Sequence, residues 1–274
     1  MSLLGTNEFV MDDYNQRVVG YLMDASPKDI IYINELENTG KYSKIIIYTL
    51  KDYKQLFEDK GFFEEGNMNG FFRGETVYIL SKFLDIPRAT SVNVSKEDEI
   101  ITIVENDDRD IQNNVLSDSF ILGYAESKDA EELAALYGKV FKYYPSQVDN
   151  PDYLEKNIGD NYFFVYIKKD NKIISAASAM IMPEFSWAEI TDCVTDPEFR
   201  GNQLLIHIIK EIEKKLLDKN IFSHFSIARS ESVGMNMSLK RLGYEYQGRL
   251  INNCKIYSGF EDMNLWTKQT DNSN

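Results

Sequence analysis

The residues best placed to do chemistry lie between Trp187 and Leu205. Trp187 to Val194 (WAEITDCV) alternates like a strand, Asp196-Pro197 turns the chain, and Phe199-Arg200-Gly201-Asn202 opens a long helix. A strand that ends in a Gly-containing turn against a helix start presents backbone N–H groups and the positive end of a helix dipole. Such a place suits phosphate or another anion. Two carboxylates stand just upstream. Alternation puts Asp192 on the face of Ala188, Ile190 and Val194, an apolar stripe where a lone carboxylate is costly unless it has work or a partner. Glu189 points the other way, with Thr191 and Cys193. A bulge, common in strands beside active sites, would exchange those faces.

The helix that holds the turn runs from Leu204 to about Lys219. Leu205, Ile208, Ile209, Ile212 and Leu216 recur at helical spacing, with Lys210, Glu211, Lys214 and Lys215 opposite. Ahead of it the pattern reads as a strand at Phe120-ILGYA, a helix from Ser127 to Phe141 ended by Tyr143-Tyr144-Pro145, a second helix opening at Pro151, and a hairpin of Tyr162-FFVYIKK and Ile173-ISAASAMIM. Behind it come a strand His224-FSIAR, a helix about Val233-GMNMSLKRL closed by Gly243, and three strands near Tyr244, Cys254 and Met263.

The chain of 274 residues is comfortable for two domains. Residues 1–84 read as a smaller β-α-β-α-β-β domain, 85–117 as an acidic linker with one short strand at Ile100 to Val104, and 118–270 as the second domain. An internal echo joins them. Ile45-IIYTLKDYKQLFEDKGF has the layout of Phe225-SIARSESVGMNMSLKRLGY, each followed by two strands, but the first copy lacks the Arg-Gly turn. The first domain would then be structural, a dimer or lid element, and not a second active site.

Thirty basic against 44 acidic residues leave a net charge of −14, which argues against nucleic acid or anionic membrane as partner. Cys193 and Cys254 are the only cysteines, and His207 and His224 the only histidines. Neither a disulfide framework nor a recognisable metal signature is available, so no metal is expected. Met1-SLLG lacks the basic and apolar regions of a signal peptide and no apolar run reaches membrane length, so the expected compartment is cytoplasmic.

The order strand, two helices, hairpin, strand, Arg-Gly turn, helix, strand, helix, strands, with Val194-TDPEFRG at its centre, resembles the GCN5-related N-acetyltransferase (GNAT) family over about residues 118–268. The resemblance implies an α/β fold with a mixed sheet that splays between two central strands, the first domain resembling a reduced half of it. It also implies acetyl-CoA as co-substrate. The coenzyme's pantetheine arm would lie along Cys193, Val194 and Thr195. Its pyrophosphate would rest on Arg200, Gly201, Asn202, Gln203, Leu204 and Leu205, with Ser232 a further contact. Gln203 and Leu205 stand where the family's turn usually has small residues.

A narrower similarity is to the β-lysine N6-acetyltransferases. It is carried by Thr191-Asp192, Pro197-Glu198-Phe199-Arg200-Gly201, Ile227-Ala228-Arg229, Gly234-Met235-Asn236, Leu250-Ile251-Asn252-Asn253 and Asp262-Met263-Asn264-Leu265-Trp266, and in the first domain by Gly70-Phe71-Phe72-Arg73-Gly74. It implies acetylation of the terminal amine of β-lysine, giving an osmolyte. An alkyl ammonium has a pKa of about 10.4, so a base must free the amine. Glu189 is expected to be that base, through water, and Asp192 a clamp on the substrate ammonium. A backbone N–H near Val194 would polarise the thioester carbonyl. The family's usual tyrosine acid falls on Leu239 here, leaving Tyr244 or Tyr246 as its substitute, or a proton from solvent. Arg229 would hold the substrate carboxylate, with Asn236, Asn252 and Asn253 orienting the second amine unless they only cap the backbone, and Tyr143 and Tyr144 would wall the cleft. The same fold acting on a polyamine or aminoglycoside, and a non-catalytic acyl-CoA sensor, remain the alternatives.

Overall fold

The computed structural model of the chain describes residues 7–109, 115–256 and 259–270. The Met1-SLLG stretch, the end of the acidic run at Asp110, and Tyr257 and Ser258 of the expected strand at Cys254 lie outside them.

The elements in chain order are β1 (Asn7–Asp12), β2 (Arg17–Leu22), α1 (Pro27–Asn38), β3 (Lys44–Leu50), α2 (Lys51–Glu58), β4 (Phe63–Phe72), β5 (Glu75–Phe83), α3 (Ile86–Ala89), α4 (Val94–Glu105), β6 (Ile121–Tyr124), α5 (Ala130–Val140), α6 (Pro151–Asn157), β7 (Tyr162–Lys169), β8 (Lys172–Met182), β9 (Trp187–Thr195), α7 (Leu204–Asp218), β10 (Ser223–Arg229), α8 (Val233–Arg241), β11 (Glu245–Ile256) and β12 (Gly259–Gln269). They group into two compact units. The first takes Met1–Ile100, Ala228–Glu231 and Tyr246–Leu265, the second Ile101–Ile227, Ser232–Glu245 and Trp266–Asn274.

In the first unit the strands run β1-β2-β3-β5-β4. β3, the run KIIIYTL, is buried at all but its last residue, as expected of a strand covered on both sides. α1 starts where the sequence says, with Pro27 in its first turn and the Ser26 N–H donating to Asp29 at 2.8 Å. Its core gathers Val18, Leu22, Ile33, Ile45, Ile47, Phe57 and Leu80. The expected strand at Ile100 to Val104 is instead part of α4. Glu97, Ile100, Ile101 and Val104 are its buried residues, a spacing of three, one and three that marks a helix face and overrides the β-branched run.

In the second unit the strands run β10-β9-β8-β7-β6, antiparallel except for the parallel pair β9–β10. α7 buries Leu204, Ile206, Ile208, Ile209, Ile212 and Leu216, and α5 and α6 pack Leu133, Leu136, Tyr137 and Leu154 with Phe164, Ala176 and Val194.

The internal echo holds at the level of topology. β3-α2-β4-β5 and β10-α8-β11-β12 are both β-α-β-β, with strand orders β3-β5-β4 and β10-β12-β11. Each is preceded by a parallel partner, but the two parallel pairs differ. β2 and β3 are registered over six residues, from Arg17–Lys44 to Leu22–Thr49. β9 and β10 are registered over three, Trp187–Ser223, Ala188–His224 and Glu189–Phe225, although β9 continues to Thr195.

Candidate active site

The site follows from the place where β9 stops pairing with β10. Glu189, half-buried, is the last residue of β9 paired with β10 and so sits at the apex of the split. On its other edge β9 stays bonded to β8. The Asp196 N–H donates to the Ile174 carbonyl at 2.8 Å, and the Val194 carbonyl accepts from the Ser175 hydroxyl at 2.9 Å. Peptide groups alternate along a strand, so those of Val194 and Asp196 face β8. The Cys193 carbonyl and the Thr195 peptide groups face the side that β10 leaves open.

Between these points β9 carries a bulge. Thr191 pairs with Ser178 and Val194 with Ala176, so Asp192 and Cys193 together oppose Ala177 alone. Asp192 takes a left-handed φ of 51°. The extra residue reverses the alternation, which corrects the expected faces: Asp192 does not lie with Ala188 and Ile190. Its carboxylate bonds Ser178, whose cross-strand partner is Thr191, so Asp192 shares the side of Glu189 and Thr191, facing α5 and α6. There it is 4% exposed. Oδ2 accepts from the Tyr162 and Ser178 hydroxyls, each at 2.6 Å, and Oδ1 from Ser146 at 3.1 Å. The Tyr137 hydroxyl donates to the Asp192 carbonyl at 2.6 Å. Burial pushes the carboxyl above its ordinary pKa, while the Ser178, Tyr162 and Ser146 hydroxyls hold it down.

Past β9, Asp196 fixes the turn. Its carboxylate accepts the Glu198 N–H at 3.2 Å and pairs with Lys139 at 2.7 Å, and that lysine holds its pKa below the usual range. Gly201 has φ 84° and Gln203 φ 56°, and the Asn202 side chain donates to the Phe199 carbonyl at 2.9 Å. Arg200, Gly201, Asn202 and Gln203 are exposed, Leu205 half-exposed and Leu204 buried. A Cβ placed on Gly201 would meet nothing within 4 Å. In the first turn of α7 the Ile206 N–H donates to the Gln203 carbonyl at 3.1 Å, while a helix leaves the amides ahead of it, those of Leu204 and Leu205, without intrahelical partners.

The model of the acetyltransferase (GNAT) family matches residues 130–243. The chain is 36% identical over 262 residues to the N-acetyltransferase YodP of Bacillus subtilis, covering 94% of each. The chain belongs to the GNAT acetyltransferase family. It is an N-acetyltransferase. It is also 32% identical over 256 residues to the β-lysine N(6)-acetyltransferase of Methanosarcina mazei (86% of this chain, 94% of that one) and 30% over 259 residues to that of Methanococcus maripaludis (94% of each). Among solved structures, the ribosomal-protein-S5-alanine acetyltransferase of Vibrio fischeri shares its fold at TM-score 0.50 and 17% identity, over 58% of this chain and 98% of that one.

GNAT acetyltransferases use acetyl-CoA, and two features of this chain fit that group. An open edge of β9 can take an extended arm, and a turn with open space above Gly201, followed by α7, can take a diphosphate. Ser232 is half-exposed just before α8, its carbonyl accepting from the Asn236 side chain at 2.8 Å.

The remaining expected residues divide. Tyr244 is 2% exposed, and burial beside the Glu213 carboxylate raises its phenol well above the ordinary value. Donating to a thiolate with a solution pKa near 8.5 would be steeply uphill from there, which argues against Tyr244 as the acid. Asn236 is fully buried and its oxygen accepts from Trp266 Nε1 at 2.8 Å, a structural bond. Arg229, Asn252 and Asn253 belong to the first unit. Arg229 Nε and Nη2 form a bidentate pair with Glu261 at 2.7 and 2.9 Å, so a substrate carboxylate would have to compete with that glutamate. Asn252 donates to the Arg88 and Thr90 carbonyls, both at 3.0 Å, and so ties down the end of α3. Asn253 is buried, and among the described residues its Oδ1 accepts no hydrogen bond. Tyr143 is 49% exposed, whereas Tyr144 packs on Phe141 with ring centroids 4.7 Å apart. His224 is buried and neutral, its pKa pushed down to about 4 by burial.

The hydroxyls around Asp192 escape a reading of the sequence by periodicity. The one local signal is Ser175 and Ser178 in the otherwise apolar run IISAASAMIM, two hydroxyls where a buried strand would rather have Val or Ile.

Proposed function

We propose that this GNAT enzyme transfers the acetyl group of acetyl-CoA to the terminal amine of β-lysine, forming N6-acetyl-β-lysine, a compatible solute of the cytoplasm. The observation that carries the reading is the identity of 30 to 32%, over most of both chains, with two proteins named for that reaction. A β-lysine arrives with its amine protonated, since an alkyl ammonium near pKa 10.4 leaves roughly one free amine in a thousand at neutral pH. Glu189, at the apex of the split, takes the proton through water. The Cys193 amide polarises the thioester carbonyl of the acetyl donor, and the amides opening α7 hold the diphosphate. The leaving thiolate takes its proton from solvent. The substrate is a small molecule, and neither nucleic acid nor membrane takes part. The first unit serves as structure, for instance by joining two copies of the chain.

Thiol release is the direct assay, run on the purified chain with acetyl-CoA and β-lysine, α-lysine, spermidine or a lysine-rich peptide. The expected result is the highest kcat/KM on β-lysine. Preference for spermidine or for the peptide would replace the substrate while keeping the chemistry. No release with any amine would overturn the catalytic reading.

A further inference from the structure

Asp192 is built into the second unit more firmly than either an ammonium clamp or a base would require. A left-handed φ in the middle of a strand is a strained state for an aspartate, and such strain persists only where the surroundings over-determine it. Here the surroundings are hydroxyls from separate parts of the chain. Tyr137 of α5 holds the Asp192 carbonyl, and Ser146 of the segment after α5, Tyr162 of β7 and Ser178 of β8 hold the carboxylate. The Tyr144 hydroxyl also reaches it. A carboxylate has about four acceptor positions. Tyr162 and Ser178 occupy both on Oδ2, and Ser146 takes one on Oδ1. A substrate ammonium would share a buried carboxylate with three hydroxyls already bonded to it. The Cys193 N–H shares a peptide plane with the Asp192 carbonyl, so the bond from Tyr137 also fixes the direction of that amide.

We propose that Asp192 is a positioning residue. Its carboxylate, fastened by Tyr162, Ser178 and Ser146, locks the β9 bulge in the register that aims the Cys193 amide into the split. Burial of this carboxylate without a cationic partner among the described residues is then accounted for. Each hydroxyl can donate to it and none competes with it, so the anion acts as a knot tying β7, β8 and the segment after α5 to one peptide group. The proposal rests on acetyl transfer by the chain and not on the identity of the amine.

The test uses the full chain and the variants Asp192→Asn, Tyr162→Phe, Ser178→Ala and Asp192→Asn/Tyr162→Phe, with acetyl-CoA and whichever amine turns over fastest. An amide aimed slightly wrong loses transition-state stabilisation, so kcat should fall by about ten- to a hundredfold in Asp192→Asn. The amine KM and the apparent pKa of the pH–rate profile should stay where they are in the parent. Tyr162→Phe should show a smaller loss of the same kind. The double variant should be no worse than Asp192→Asn, because both changes cut the same knot. A raised amine KM with kcat intact would restore the clamp. A flattened pH–rate profile would make Asp192 the base, and additive losses would deny the shared knot.

A second readout needs no turnover. The Cys193 amide resonance should move further on adding acetyl-CoA than on adding CoA, and Tyr162→Phe or Ser146→Ala should diminish that extra movement. An undiminished shift in both would overturn the proposal, even if Asp192→Asn fails to fold or the parent acetylates none of the amines tried.

Discussion

Two neighbouring residues in the turn before α7 should respond to substitution with opposite signs. Gly201 and Gln203 both hold positive φ, 84° and 56°. The left-handed region costs a residue with a Cβ roughly 1–2 kcal/mol, and glycine nothing. Replacing Gln203 by Gly removes that strain but gives the unfolded chain more freedom, at a cost of about 0.5–1 kcal/mol. The net is a stabilisation of about 0.5–1 kcal/mol. Gly201→Ala runs the other way, adding about 1–2 kcal/mol of strain against about 0.4–1 kcal/mol recovered from the unfolded state. Gln203 is exposed and makes no side-chain cap, and a Cβ on Gly201 meets open space. At about 2–4 °C per kcal/mol for a domain of 150–250 residues, the two variants should melt a few degrees apart, one on each side of the parent. The assay is thermal unfolding of parent, Gln203→Gly, Gly201→Ala and Gln203→Ala, the last keeping the strain and so setting the baseline for loss of the side chain alone. Each melt is repeated with CoA. Both glycine-dependent variants keep every backbone N–H of the turn, so CoA should still raise each Tm. If Gln203→Gly melts lower than the parent, or Gly201→Ala melts higher, the backbone reasoning is refuted.

Two further outcomes follow from groups already described. Glu189→Gln should lower kcat/KM by about a hundredfold or more and flatten the acid limb of its pH profile, because the amide cannot accept the proton; a retained limb would move the base elsewhere. In the first unit, burial and the nearby Asp262 carboxylate push the Glu97 carboxyl up to about 7, against the opposing pull of Arg249 and Ser91. The folded chain therefore keeps a proton that the unfolded chain releases near its ordinary pKa of about 4.3, and the stability this confers is lost as pH rises through 7. Glu97→Gln, which cannot ionise, should melt higher relative to the parent at pH 8 than at pH 5. A difference that does not change with pH would refute the assignment.

Much of the second unit was legible because its signals are local. The amphipathic stripe of α7, the hairpin at Asp170-Asn171 and the Arg-Gly turn each lie within a dozen residues. The bulge was not legible in the same way. Alternation assigns faces by parity, and one inserted residue reverses every face beyond it, which moved Asp192 onto the side of Glu189. Nor could the spacing of Tyr137, Ser146, Tyr162 and Ser178, spread over four segments, show that all four converge on one aspartate. In α4 the acidic residues around Ile100 to Val104 read as a solvated strand. Yet Glu97, Ile100, Ile101 and Val104 already trace a helical face once a glutamate is allowed on the buried side. Glu97 is allowed there because Arg249 and Ser91 meet it, and those are long-range partners. The functional asparagines were over-read for the complementary reason. An amide near an element end is as good a tie for backbone as for substrate, and for Asn252 the α3 carbonyls take it.

The two β-α-β-β copies also differ in how far each closes its parallel seam, six residues in one and three in the other. The short seam leaves the polar edge of Cys193 and Thr195 bare inside an otherwise finished layer. Water can satisfy such an edge, but an extended chain with amide groups of its own satisfies it better. An acetyl donor carrying such an arm would therefore complete the architecture as it arrives, and its departure would reopen the gap for the next molecule. The earlier copy, zipped along its whole length, shows what the later one would look like had it no visitor to admit.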